Sequence, residues 1–160
     1  MQRAKHQTDD VVEHIRQLAR DLRPASLDQL GLAPSLRQAA SIADNGHARV
    51  EADITDLPDL PAATETAAYR IITEALTNAL RHSDATSIRL GVHATGEGLV
   101  ATIDDNGRGG APTKPGANGR GVGMQSMFKR ASELGGDIQV TSRPDLGTTV
   151  QIQLPVSVDA

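Results

Sequence analysis

The stretch Ile71-Ile72-Thr73-Glu74-Ala75-Leu76-Thr77-Asn78-Ala79-Leu80-Arg81-His82 decides how this chain is read. Ile71, Ile72, Ala75, Leu76, Ala79 and Leu80, together with Ala68, recur at helical spacing. They predict a long helix from about Ala62 to Ser83 with one broad apolar face. Glu74, Asn78 and His82 are four residues apart and form a slowly drifting stripe along the border of that face. Arg70, Thr73, Thr77 and Arg81 fall on the outward side. Polar side chains at a core boundary need partners. A bound ligand supplies them on one reading, and neighbouring backbone supplies them on the other.

Downstream of this helix, Thr86 to Ala94 and Leu99 to Asp104 read as two strands joined by a hairpin at Gly96-Glu97-Gly98. From Asp105 to Gly123 the chain is rich in Gly, Pro and Asn and predicts no regular structure. A helix from about Val122 to Leu134 follows, ended by Gly135-Gly136. Asp137 to Arg143 and Thr148 to Leu154 form a last hairpin around Pro144-Asp145-Leu146-Gly147. Upstream, Thr8 is placed as an N-cap with Asp9 and Asp10 in the first turn. Val11, Val12, Ile15, Leu18, Ala19 and Leu22 carry that helix to Arg23-Pro24. Leu27 to Leu32 is a short apolar piece broken at Gly31. A helix from Pro34 to about Asp44, a strand from Arg49 to Ile54 and a connection from Leu57 to Pro61 complete the order. This order predicts an α+β fold, a two-layer sandwich of a mixed sheet with helices on one face, plus the N-terminal helix.

Composition narrows the function classes. The 160 residues carry a net charge of -4, which gives no basic footprint for nucleic acid. Cysteine is absent, so disulfides, zinc-thiolate sites and thiol catalysis are excluded. Aromatic residues make up only 1%, so the core must be built from Leu, Ile, Val and Ala. No metal-ligand spacing joins the five histidines. Neither a spanning apolar run nor a signal-peptide core is present, and the expected location is the cytoplasm, either as a free protein or as the cytosolic part of a membrane-anchored sensor.

Three further segments carry candidate chemistry. Ile103-Asp104-Asp105-Asn106-Gly107-Arg108-Gly109 ends a strand in carboxylates and then glycines. Such a carboxylate accepts from an exocyclic amine, and the glycines let backbone approach a ligand. The same residues also read as simple turn chemistry. Gly119-Arg120-Gly121-Val122-Gly123 runs into a helix, whose free amides favour a phosphate; a glycine-rich linker is the alternative. The long loop between them holds Lys114 and Arg120, a length and charge that suit a lid over a triphosphate. A disordered insertion is the other reading.

The order and spacing of these pieces carry more than any one alone. Glu74-x-x-x-Asn78-x-x-Arg81-His82, Asp105-x-Gly107-x-Gly109, Gly119-x-Gly121-x-Gly123 and Gly147-Thr148 together resemble the gyrase, heat-shock chaperone, histidine kinase and MutL ATPase superfamily, whose nucleotide site is the Bergerat fold. Asp21-Leu22-Arg23-Pro24 with Leu27-Asp28-Gln29-Leu30-Gly31-Leu32 resembles the end of the dimerisation helix in sensor kinases that pair with NarL-type response regulators. Gly123-Met124-Gln125-Ser126-Met127-Phe128-Lys129-Arg130-Ala131 with Leu134-Gly135-Gly136 is similar to the glycine-box helix of the same group. The resemblance runs from about Val11 to Pro155. It implies that residues 1–32 end a dimerisation helix and linker, and that residues 33–160 form an ATP-binding catalytic domain.

Site roles follow from that resemblance. Asn78 is expected to ligate Mg²⁺, with Glu74 beside the metal or acting as a base. Arg81 and His82 are expected near the phosphates. Asp105 is expected to accept from the adenine amine, with Gly107 and Gly109 giving room. Gly119, Gly121 and Gly123 are expected to frame the phosphates with Lys114 and Arg120, and Thr148 to support the adenine pocket. The implied reaction moves the ATP γ-phosphate to a protein histidine and on to an aspartate of a NarL-like response regulator. The implied partners are a histidine-bearing dimerisation domain, in cis or in trans, that regulator, and a second copy of the chain. The family's acceptor is a histidine followed at once by Asp or Glu. Here His6 precedes Gln7 and His14 precedes Ile15, so the acceptor is expected on another segment or protein. A nucleotide-binding regulatory module of the anti-sigma kinase kind, without autophosphorylation, is the alternative function. A gyrase-like or MutL-like ATPase is the third, weakened by the lack of a transducer domain.

Overall fold

The computed structural model describes residues 10–12, 15, 25–44, 46–110 and 122–156, with the side chains of His82 and Val122 left aside. The elements run α1 (Ala25–Leu30), α2 (Leu32–Ala43), β1 (Arg49–Ile54), α3 (Ala62–His82), β2 (Ser87–Ala94), β3 (Gly98–Asp105), α4 (Val122–Glu133), β4 (Asp137–Arg143) and β5 (Gly147–Pro155). The strands form one five-stranded sheet in the order β1-β2-β3-β5-β4. β1 and β2 are parallel, while the remaining pairs are antiparallel. This is the mixed-sheet α+β sandwich expected from the pattern.

Alternation along each strand sets the two faces. Ile88, Leu90 and Val92 of β2, Leu99, Ala101 and Ile103 of β3, Ile138 of β4, and Ile152 and Leu154 of β5 are buried. Arg89, His93, Asp104, Gln139, Gln151 and Gln153 lie exposed on the opposite face. The helices therefore cover one side only. Helix α3 packs on β3 and β5 and is flanked by α2 and α4. Aliphatic side chains fill this layer as the composition requires, joined by the single tyrosine, Tyr69, and by Met127. Val12 and Ile15, helical in the N-terminal segment, belong to the same buried cluster. Asp10 and Val11 are helical as well; the other residues of that predicted helix, with His6, His14 and Asp21 to Pro24, lie outside the described residues.

Two local readings are corrected. The apolar piece after Pro24 is a helix, α1, and Gly31 separates it from α2, which begins at Leu32 rather than Pro34. Gly31 sits at φ 82, a left-handed conformation that costs glycine little. Pro34 stays within the first turn, where its missing N–H breaks no hydrogen bond. Thr73 and Thr77, placed on the outward side of the long helix, are both 1% exposed. Neighbouring helices on both flanks widen the covered arc of α3 beyond its aliphatic stripe. The Thr73 hydroxyl donates to the Tyr69 carbonyl at 2.8 Å, and Thr77 Oγ1 has no hydrogen-bond partner among the described residues.

Chain reversals follow the expected glycines. Gly135 takes φ 74 after α4, and the Gly136 amide donates back to the Ala131 carbonyl at 2.8 Å. The long helix ends differently. Ser83 Oγ bonds the Ala79 carbonyl and accepts from the Ala85 amide, and Asp84 takes φ 52.

Candidate nucleotide site

The core-facing rows of β3, β5 and β4 change character together at one end of the sheet. Ile103, Val150 and Val140 share one row across the three strands, and the next row is Asp105, Thr148 and Ser142. A carboxylate and two hydroxyls thus stand where the alternation calls for apolar side chains, at the end of the sheet where Gly107 and Arg108 meet Ser83 after α3. Asp105 is buried, at 7% exposure. Its Oδ1 accepts the Gly107 amide at 2.9 Å and the Thr148 amide at 3.3 Å. Its Oδ2 receives no hydrogen bond among the described residues. Burial pushes the Asp105 carboxyl above the ordinary carboxylate range; the Gly107 and Thr148 amides offset part of this, and neighbouring Asp104 adds to it.

Glycines hold this carboxylate against the end of α3. A Cβ on Gly107 would overlap the Ser83 carbonyl oxygen, and one on Gly109 would overlap the Arg143 carbonyl. A Cβ on Gly147, at φ 89, would overlap the carbonyl of Asp105 itself. Backbone hydrogen bonds lock the same loop, from Arg108 N–H to the Ser83 carbonyl and from Asp145 N–H to the Arg108 carbonyl, both 2.7 Å. Gly107→Ala is accordingly expected to destabilise the fold by about 1–3 kcal/mol, since a backbone carbonyl cannot rotate away. A thermal melt lowered by roughly 3–10 °C checks this; an unchanged melt would show that the loop is free to shift.

Helix α3 supplies the other wall. Glu74 and Asn78 are half-buried one turn apart. A Cβ on Gly123 would overlap Glu74 Oε1, so this carboxylate faces the first turn of α4. The Asn78 side chain makes no hydrogen bond among the described residues. Arg81 is exposed. His82 closes the helix with its side chain outside the described set, as are Lys114, Gly119, Arg120 and Gly121. The structure therefore brings Glu74 together with Gly123, and Asp105 together with Gly107, Gly109 and Thr148.

No group of three or more His, Asp or Glu able to hold a metal occurs among the described residues. One carboxylate and one amide oxygen on a helix still fit Mg²⁺, which keeps several waters and takes its remaining ligands from phosphates. A separate cleft of about 420 Å³ lies between the first turns of α3 and the last turns of α4, lined by Ala62, Ala63, Thr66, Ala67, Arg70 and Arg130 among others. From Arg70 to Asn78 is roughly 12 Å along the helix, so this cleft is distinct from the site.

Several contributors escaped the sequence reading. Asn106 was read only as part of a turn, yet its Oδ1 accepts the Thr86 and Ser87 amides, each at 3.0 Å, and pins the start of β2. The Ser83 carbonyl is the anchor for the glycine loop. Ser142 Oγ lies 2.8 Å from Thr148 Oγ1. A serine placed across a hairpin from Gly147-Thr148 was the available signal, but it needs the strand register.

A mixed sandwich with a buried carboxylate, a glycine loop and a polar helix stripe at one sheet end defines a Bergerat-type nucleotide-binding domain. Residues 63–158 match the family described as histidine kinase-, DNA gyrase B-, and HSP90-like ATPase, and the chain belongs to that family. Its fold is similar to the histidine kinase domain of the blue-light activated histidine kinase from Erythrobacter litoralis, with TM-score 0.73 and 23% identity over 93% of this chain and 75% of that one. Against a longer chain of that kinase the match spans only 42% of its length. The Acinetobacter baumannii histidine kinase AdeS gives TM-score 0.62 at 17% identity, covering 79% of this chain and 64% of that one. The ATP binding domain of PrrB from Mycobacterium tuberculosis gives TM-score 0.56 at 24% identity, covering 78% and 93%. The chain is an ATP-binding domain of the histidine kinase-like kind. No described helix is long and apolar enough to cross a membrane.

Proposed function

We propose that this chain is the catalytic domain of a two-component sensor histidine kinase working in the cytoplasm. It transfers the γ-phosphate of ATP to a histidine on another segment or protein, for relay to an aspartate of a NarL-like response regulator. One observation carries the nucleotide part of this reading: a buried carboxylate with one oxygen saturated by backbone and the other left for a ligand donor. Asp105 accepts from the adenine amine through Oδ2, while Gly107 and Gly109 let the base lie against backbone. Thr148 supports the base from β5. Asn78 and Glu74 hold Mg²⁺ at the edge of α3. Bound there, the metal would supply positive charge to stabilise the negative charge developing on the phosphates.

The remaining groups orient the triphosphate. Gly119 and Gly121 precede α4 in sequence and Gly123 lies in its first turn, where the N-terminal amides favour anions. Lys114 and Arg120, between Gly110 and α4 in sequence, and Arg81 and His82 at the end of α3 are the cationic and imidazole side chains this reading assigns to the phosphates. The imidazole nitrogen of the acceptor attacks the γ-phosphorus, the bond to the bridging oxygen breaks, and ADP leaves. Residues 1–32 are assigned as the C-terminal part of the dimerisation helix and its linker, on the resemblance carried by Asp21 to Pro24 and Leu27 to Leu32.

Incubation with labelled MgATP and a purified histidine-bearing dimerisation domain tests this. Acid-labile label on that domain is the expected result. Nucleotide binding without transfer to any such domain would favour the regulatory module, and no affinity for ATP with Mg²⁺ would overturn both.

A further inference from the structure

Resting on the nucleotide reading of this site, we infer that Ser142 is a positioning residue that fixes the proton of the Thr148 hydroxyl and so sets selectivity between purines. The apolar ladder between β4 and β5 pairs Ile138 with Ile152 and Val140 with Val150, then switches to Ser142 with Thr148. The switch falls on the row that holds Asp105, opposite Thr148 on β3. Ser142 Oγ and Thr148 Oγ1 are 2.8 Å apart, and the Thr148 amide is already committed to Asp105 Oδ1. Both hydroxyls are half-buried, in a row where aliphatic side chains would continue the core.

A hydroxyl has one proton to give. Either hydroxyl could be the donor in this pair; in the arrangement we infer, Ser142 donates to Thr148 Oγ1, which directs the Thr148 proton away from Ser142 and towards a purine. Adenine offers an unprotonated N1 next to its amine, whereas guanine carries a proton on N1 beside a carbonyl. A carboxylate that accepts, next to a hydroxyl that donates, matches the first edge and opposes the second. Without Ser142 the Thr148 hydroxyl rotates freely and serves either edge. A cross-strand hydroxyl pair that merely stabilised the sheet would shift stability and leave base preference alone.

The test is competition binding of MgATP, MgGTP and 1-deaza-ATP, in which N1 is replaced by CH, to the full chain. The unsubstituted protein is expected to prefer ATP over 1-deaza-ATP by about three- to tenfold, the worth of one net hydrogen bond. In Ser142→Ala the ATP-to-GTP ratio is expected to shrink, while part of the ATP preference over 1-deaza-ATP persists because the freed hydroxyl still turns to N1, and Ser142→Thr is expected to restore both. Ser142→Val, a good strand residue, serves if the alanine variant folds poorly. Thr148→Val should remove both preferences, and adding Ser142→Ala to it should change neither ratio further. Normal ATP binding by the parent, with both ratios unchanged in Ser142→Ala or Ser142→Val, would overturn the role of Ser142 alone. No ATP binding by the parent overturns the site itself.

Discussion

The Asp105→Asn variant is expected to keep its fold and to lose ATP. Asp105 Oδ1 accepts two backbone amides, and an amide oxygen replaces it in that task. The exchange falls on the second oxygen. An NH₂ group there turns a donor towards the adenine amine, so an accepting contact becomes an opposed pair. Hydrogen bonds to charged groups are worth about 1.5–3 kcal/mol, which sets the expected loss of ATP affinity at roughly 10- to 100-fold. The guanine carbonyl, by contrast, accepts from the new donor, so the ATP-to-GTP ratio should narrow or invert. Stability moves the other way. Burial holds the folded pKa of Asp105 above its unfolded value. Its stabilising contribution is therefore complete below the unfolded pKa and lost as pH rises through the folded one. At neutral pH the ionised carboxylate is a cost that the amide does not carry. The variant should melt at or above the parent temperature, and the difference should shrink as pH falls towards the carboxylate range. In the parent, acidification should weaken ATP binding at a pH above that of an exposed aspartate. Parallel melts and ATP titrations across pH decide this. A variant that binds ATP like the parent would remove Asp105 from the base site.

How much of this was visible in the sequence depends on the range of the forces involved. The long helix and both hairpins were legible because burial repeats with the local period and glycines mark where the chain must turn. Glu74 with Asn78, and Asp105 with its glycines, were legible for the same reason, since each group sits within one element or one loop. Thr73 and Thr77 were misplaced because a helical period gives the direction of a face but not its width. That width is set by α2 and α4, which arrive from distant sequence. Helix α1 was read as a bare apolar piece, since six residues between Pro24 and Gly31 are too few for a period to show. Ser142 was invisible because its meaning lies in register. One residue of slip would put it on the open face of the sheet. The free oxygen of Asp105 was hidden too, because it depends on which amides the fold delivers to its neighbour.

Asn78→Ala is expected to abolish metal-dependent nucleotide binding while leaving the fold intact, and the two halves of that statement have separate causes. Asn78 is half-buried and its side chain makes no hydrogen bond among the described residues, so truncation strands no protein partner. Alanine is also the better helix former, by about 0.5 kcal/mol in a helix interior. The melting temperature should hold or rise. Binding responds differently, because the amide oxygen is a hard ligand and the described residues offer only Glu74 beside it. On the proposed reading, the variant would leave Mg²⁺ a single protein oxygen, from Glu74. The loss should be at least that of a charge-assisted contact, about 2 kcal/mol or roughly 30-fold in MgATP affinity. ATP measured with a chelator present should bind the variant and the parent alike, since the base contacts at Asp105 and Thr148 are untouched. Asn78→Asp restores an oxygen and should recover part of the metal-dependent affinity. Calorimetry with MgATP and with chelated ATP separates these terms. Equal MgATP affinity in Asn78→Ala and the parent would place the metal elsewhere and remove α3 from the catalytic wall.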